Sequence, residues 1–183
     1  DGQRKSKNTH FPFAEGMCVQ CHTPHTGNRA FLIKADMKDV CTECHSDIIK
    51  DNAKRIHDPV GKGQCNSCHQ PHGSANEKML VKPVGELCFN CHTDIREGLE
   101  KDSVKHVPAA SGDCLICHVP HTSDQDNGLF NGPIVEVCRQ CHDLEDASLK
   151  SAHASLPMDQ AKSCSVCHKP HSSNNKKLLK NFM

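Results

Sequence analysis

Fourteen cysteines fall into seven C-x-x-C pairs, and a histidine follows each pair at once. The sets are Cys18, Cys21, His22; Cys41, Cys44, His45; Cys65, Cys68, His69; and Cys88, Cys91, His92. Cys114, Cys117, His118; Cys138, Cys141, His142; and Cys164, Cys167, His168 complete them. This spacing serves covalent haem attachment. Two thiols add across porphyrin vinyl groups, and the neighbouring imidazole is held under the iron as the proximal ligand. Zinc ribbons and disulfide scaffolds also use paired cysteines. Nineteen residues separate Cys21 from Cys41 and twenty separate Cys44 from Cys65, spacings that zinc tolerates. Neither alternative needs the histidine. With 15 histidines in 183 residues, chance placement after all seven pairs is on the order of one in ten million or rarer. The expected cofactors are seven c-type haems.

Eight histidines remain for seven distal positions: His10, His25, His57, His72, His106, His121, His153 and His171. Chain reach constrains them. Two imidazoles that clamp one iron have Cα atoms on the order of 12 Å apart, and three residues span at most ~10–11 Å. His25 therefore cannot serve the iron held by His22, nor can His72, His121 or His171 serve the motif just before them. The expected register puts His10, His57, His106 and His153 on haems 1, 3, 5 and 7, and His25, His72 and His121 on haems 2, 4 and 6. His171 is then left over. A rival register, with His57, His106 and His153 on the preceding even haems, is equally within reach. Met17, Met37, Met79, Met158 and Met183 are further axial candidates that would raise the potential.

These residues must be positioned by a repeat. The first cysteines Cys18, Cys65, Cys114 and Cys164 recur every 47 to 50 residues. Each unit opens on a His near a Pro, as in His57-Asp58-Pro59, and reaches its odd motif eight residues later (eleven in the last unit). The odd motif is extended to C-x-x-C-H-x-P-H. A polar linker follows, then an apolar clasp such as Phe31-Leu32-Ile33, then the even motif led by Asp39-Val40, Glu86-Leu87 or Glu136-Val137. The units are 1–56, 57–105 and 106–152 with two haems each, and 153–183 with one. In the last, Asn175 to Asn181 matches the clasp Asn76 to Lys82, and an eighth motif would be due next; a longer multihaem protein is one explanation.

The even motifs read as short helices. Val84 to Glu100 starts after Pro83 and carries Leu87, Ile95 and Leu99 at near-helical spacing. The odd motifs, between glycine and proline, read as turns and single helical turns. No alternation marks a strand. The fold class expected is mainly irregular, with a few short α-helices and a core built of covalently bound haems.

Composition agrees. Leu, Ile, Val and Phe make 35 of 183 residues, with no Trp or Tyr, too few to offset chain entropy by themselves. The haem-free chain is expected to be largely unfolded. Its 22 basic and 22 acidic residues balance, but propionates bring about −7 with all haems oxidised and about −14 when reduced. No basic stripe suits nucleic acid, and no apolar run approaches a membrane span. Thiols of this class meet haem outside the cytoplasm, so a cleaved export signal and a periplasmic or cell-surface location are expected.

The paired motifs, the x-Pro-His extension and the Val84-Gly85-Glu86-Leu87-Cys88 lead-in resemble the multihaem cytochromes c of the doubled C-x-x-C-H type, found in metal-respiring and related anaerobic bacteria. The resemblance runs from His10 to about Leu179, and the missing even motif of the last unit departs from it. It implies electron transfer between membrane quinol oxidoreductases, other cytochromes and terminal or extracellular acceptors. Physical scale points the same way. A domain of this length has a radius of gyration near ~16 Å, and seven irons sharing that volume lie roughly 17 Å apart, little more than a porphyrin width. Two other classes compete. A nitrite or hydroxylamine reductase needs one iron with an open position, whereas distal histidines suffice here for every iron. A subunit of an extracellular cytochrome filament would use the left-over His171, on its Lys-rich tail, for self-association at the C-terminus.

Overall fold

A computed structural model describes residues 6–153, 156 and 163–181. Met158 and Met183, named above, lie outside the described residues. Within them the chain is mostly turns and bends, with short helices α1 (Phe11–Ala14), α2 (Met37–Thr42), α3 (Asp58–Gly61), α4 (Val84–Phe89), α5 (Thr93–Lys101), α6 (Val107–Ala110), α7 (Ile134–Arg139), α8 (Ala147–Ala152) and α9 (Ser163–Cys167). The expected class, few and short elements in an irregular chain, is the one observed.

The opening His-Pro segments of the first three units each form a single helical turn. His10, His57 and His106 sit in extended backbone at its N-cap, with Pro in the first two helical positions, where a missing N–H costs nothing. The odd motifs of the first three units are 3₁₀ turns, Cys18–Gln20, Cys65–Ser67 and Cys114–Ile116. The even motifs end short helices. The single helix expected from Val84 to Glu100 is two, α4 and α5, because His92 (ψ 60°) leaves helical geometry between them.

Strands, unexpected from the sequence, are present but only two residues long. β1 (Asn8–Thr9) pairs with β3 (Gly73–Ser74), β2 (Arg55–Ile56) with β5 (Thr122–Ser123), and β4 (Val104–Lys105) with β6 (Ser172–Ser173), all antiparallel. Two residues cannot display a period-2 pattern, so no alternation was visible. Each pair joins the two residues before an opening histidine to the two residues after the x-Pro-His of the following repeat. Lys50 and Lys54 add ion pairs to Asp124 (3.9 Å) and Asp126 (3.1 Å) across one such junction.

The polypeptide barely packs on itself. A folded 20.1 kDa chain exposes about 8,700 Å², and this one exposes 12,613 Å². The buried apolar side chains among the described residues are Val40, Leu99, Val135 and Val137. Val40 and Val137 immediately precede the first cysteine of an even motif, which explains the apolar lead-in there. Each even helix lies against the next odd motif. Gly85 of α4 approaches Gly112 so closely that a Cβ on Gly85 would stand 2.9 Å from the Gly112 Cα.

Candidate haem-binding sites

All seven motifs close the same local bond. The motif histidine N–H donates to the carbonyl of the first cysteine at 2.9–3.0 Å, from His22 to Cys18 through His168 to Cys164. Positions i, i+3 and i+4 of such a turn share one face, so both thiols and the imidazole emerge together. No disulfide joins the cysteines.

The odd imidazoles are tethered at their far nitrogen. His22 Nδ1–H donates to the Phe31 carbonyl (2.8 Å), His69 to Lys78 (2.9 Å), His168 to Lys177 (2.7 Å) and His118 to Leu129 (3.3 Å). A carbonyl only accepts, so Nδ1 carries the proton and the Nε2 lone pair is free for a metal. The clasp presents these carbonyls by an unusual backbone. Phe31 and Leu32, Lys78 and Met79, and Lys177 and Leu178 all have φ of 52–57°, at about 1–2 kcal/mol per non-glycine residue. Sequence reasoning saw the clasp as apolar and missed this role. The signal was the constant nine-residue offset from His22, His69 and His168 to their acceptors, eleven in the third unit.

The fourteen imidazoles of seven pairs then face one another, each motif histidine against one of the other eight. His22–His72, His45–His10, His69–His121, His92–His57, His118–His171, His142–His106 and His168–His153 have ring centroids 6.0–6.2 Å apart. Two metal–imidazole bonds of about 2.0 Å plus about 1.1 Å from each ring nitrogen to its centroid give about 6.2 Å. The donor set fits an iron between two imidazoles. Among the described residues no three His, Cys, Asp or Glu side chains converge on one point; the arrangement supplies two axial donors, as a porphyrin requires.

The register of these pairs differs from both registers read from the sequence. His10, His57 and His106 face the even histidines of their own units, not haems 1, 3 and 5. His72 and His121 reach back to the odd histidines of the preceding units, not to haems 4 and 6. His153 faces His168. The cause is the strand pairing. The N–H of His10 donates to the His72 carbonyl (3.1 Å), His57 to His121 (2.9 Å) and His106 to His171 (2.9 Å). His10 and His57 also donate Nδ1–H to the Pro71 (3.0 Å) and Pro120 (2.9 Å) carbonyls. The two histidines of a junction are thus locked side by side and face the motif histidines of consecutive motifs. His171 is not left over, since it faces His118. Among the described residues, the histidine without a ring partner is His25, which is exposed.

Burial favours the neutral form of four of the imidazoles. His72, His121 and His171 are held below the ordinary histidine value, first by burial and then by the facing His22, His69 and His118. His118 is lowered too, by burial against the opposing effect of its Leu129 bond. A neutral ring is the form that ligates. The thiols follow one another in order. Cys41 is pushed up to about 12 by burial, by the Cys65 thiol hydrogen-bonded to it, and by Cys21. Cys88 stands likewise with Cys114 and Cys68, and Cys138 with Cys164 and Cys117. Cys68 neighbours Cys91, and Cys117 neighbours Cys141. Each motif therefore lies near the next along the chain.

The model of the doubled CXXCH motif family matches residues 10–50, 57–97, 106–147 and 156–182. No curated protein matches the chain. Four matches cover most of the sequence, and each begins close to one of the opening histidines or, in the last unit, just beyond it. With shared motif turns, paired imidazoles and thiols in sequence, the chain belongs to the doubled CXXCH family and is a multihaem c-type cytochrome.

Proposed function

We propose that the chain carries seven haems, each between two histidines, and conducts electrons along their series. It is not an enzyme, and it works in the periplasm between quinol oxidoreductases, other cytochromes and terminal acceptors of anaerobic, metal-linked respiration. The observation that carries this reading is the pairing of every motif histidine with a second imidazole at 6.0–6.2 Å. Catalysis at iron needs an open position, and a second imidazole takes that position.

When bound, the haems supply one-electron carriers of low potential, as bis-histidine ligation and solvent exposure favour. The protein's residues hold and order them. Thiols fix each ring at two points, the two imidazoles fix the axis, and clasp or proline carbonyls keep Nδ1 protonated so that Nε2 stays aimed. The nearness of thiols from Cys21 through Cys41 to Cys65, and onward to Cys164, supports a linear series in chain order. Magnetic and optical spectra of the holoprotein test the reading. Low-spin, six-coordinate signals in both redox states, unaltered by carbon monoxide or nitrite, are expected. A high-spin haem that binds either would favour a reductase instead.

A further inference from the structure

The clasps of the first, second and fourth units follow one plan, and the third departs from it. In the three alike, two successive carbonyls each take one donor. Phe31 accepts from His22 Nδ1 (2.8 Å) and Leu32 from Thr23 N–H (2.7 Å). Lys78 and Met79 do the same for His69 (2.9 Å) and Gln70 (2.7 Å), and Lys177 and Leu178 for His168 and Lys169 (both 2.7 Å). Both members of each pair are left-handed. The third clasp is one residue longer, since His118 bridges to Phe130 where His69 bridges to Leu80. It holds no left-handed pair, only Gly128 at φ 126°. One carbonyl then serves two donors. Leu129 accepts from Val119 N–H at 2.8 Å and from His118 Nδ1 at 3.3 Å.

A ring whose Nδ1–H donates strongly gains anionic character, and its Nε2 then favours ferric over ferrous iron. The tether thus lowers the potential, and a long, shared one lowers it less. Exclusion of water works in the same direction as that loss. A ferric site carries one positive charge more than a ferrous one, so an apolar shell disfavours it. Phe130 stacks on the His118 ring, centroids 4.9 Å apart, at the place that Ile33, Leu80 and Leu179 take in the other clasps. Asp94 of α5 acts on the facing His171 in the opposite sense, but it is exposed and screened. We infer that the His118–His171 site has the highest potential of the four odd sites, and that the shared Leu129 carbonyl is the positioning group that sets it. An electron in the series then rests there. One electron leaves an adjacent ferrous haem, the ferric iron at His118 becomes ferrous, and Nδ1 keeps its proton. This rests on the bis-histidine reading above.

The test follows the haem methyl resonances of the intact holoprotein through a redox titration by nuclear magnetic resonance, each haem assigned by contacts with its own motif. At one solution potential, the reduced-to-oxidised ratio at His118 should exceed those at His22, His69 and His168 about tenfold, or 59 mV for one electron. Replacing residues 124–129 by the sequence of residues 75–79 gives the third unit the shorter clasp and should remove most of that excess. The reciprocal exchange, the sequence of 124–129 in place of 75–79, should raise the ratio at His69. Charge alone predicts the opposite signs. The first exchange removes Asp124 and Asp126 and brings in a balanced Glu and Lys, and the second does the reverse. A His118 site no higher than the other three overturns the proposal, and so do exchanges that leave the ratios unmoved or shift them with the charge. Low-spin spectra taken before the titration report separately on the bis-histidine reading.

Discussion

At the scale of single residues, attachment and proximal ligation are local properties, and a spacing of three or four residues declares them. Distal pairing is not local. It depends on which strand lies beside which, across sixty residues and more, as the bond from His10 N–H to the His72 carbonyl makes plain. Reach arguments along the chain correctly barred His25 from His22, yet they could not choose among more distant partners. The eighth histidine separates the two registers by experiment. His171→Ala leaves His118 without its facing ring. One haem in seven should turn high-spin and bind carbon monoxide, while His25→Ala leaves the spectra of the isolated holoprotein unchanged. Electron paramagnetic resonance reads both, and the opposite pattern would restore the register expected from the sequence.

At the scale of elements, the sequence declared what proline, glycine and lead-in residues dictate: turns and single helical turns at odd motifs, and short helices at even ones. It hid the two-residue strands and the left-handed clasps, because neither has a periodicity and the clasps use Phe, Leu, Lys and Met rather than glycine. Glycines mark where elements meet. Gly16 and Gly112 hold equivalent places before odd motifs, with φ of 70° and 78°, but a Cβ on Gly16 meets nothing within 4 Å and one on Gly112 meets the Gly85 Cα at 3.1 Å. Alanine at either site costs about 1–2 kcal/mol for its left-handed backbone. Gly112→Ala should lose more than Gly16→Ala, since α4 must also move off the next motif. Denaturant unfolding of the two holoprotein variants measures the difference, and equal losses would mean that the α4 contact contributes nothing.

At the scale of the whole molecule, the interlocked units form a scaffold rather than a core. Every junction passes a strand and a histidine between neighbours, so a unit excised from the chain would lose ligands on both sides. The excess of exposed surface, 12,613 Å² against about 8,700 Å² for an ordinary chain of this mass, says how little of the fold the polypeptide stabilises by itself. Four buried apolar side chains cannot offset an ordering entropy of about 1–2 kcal/mol per residue. Nor do the ion pairs help much, since the described ones are exposed and such pairs contribute about 0–1 kcal/mol each. Folding is therefore coupled to haem attachment. The chain produced without haem, with thiols kept reduced, should lose its compactness, its radius of gyration rising from near ~16 Å towards the ~45 Å of an unfolded chain of this length. Small-angle scattering measures that directly, and a compact haem-free chain with native-like hydrogen-exchange protection would show that the strands and clasps suffice without the cofactor.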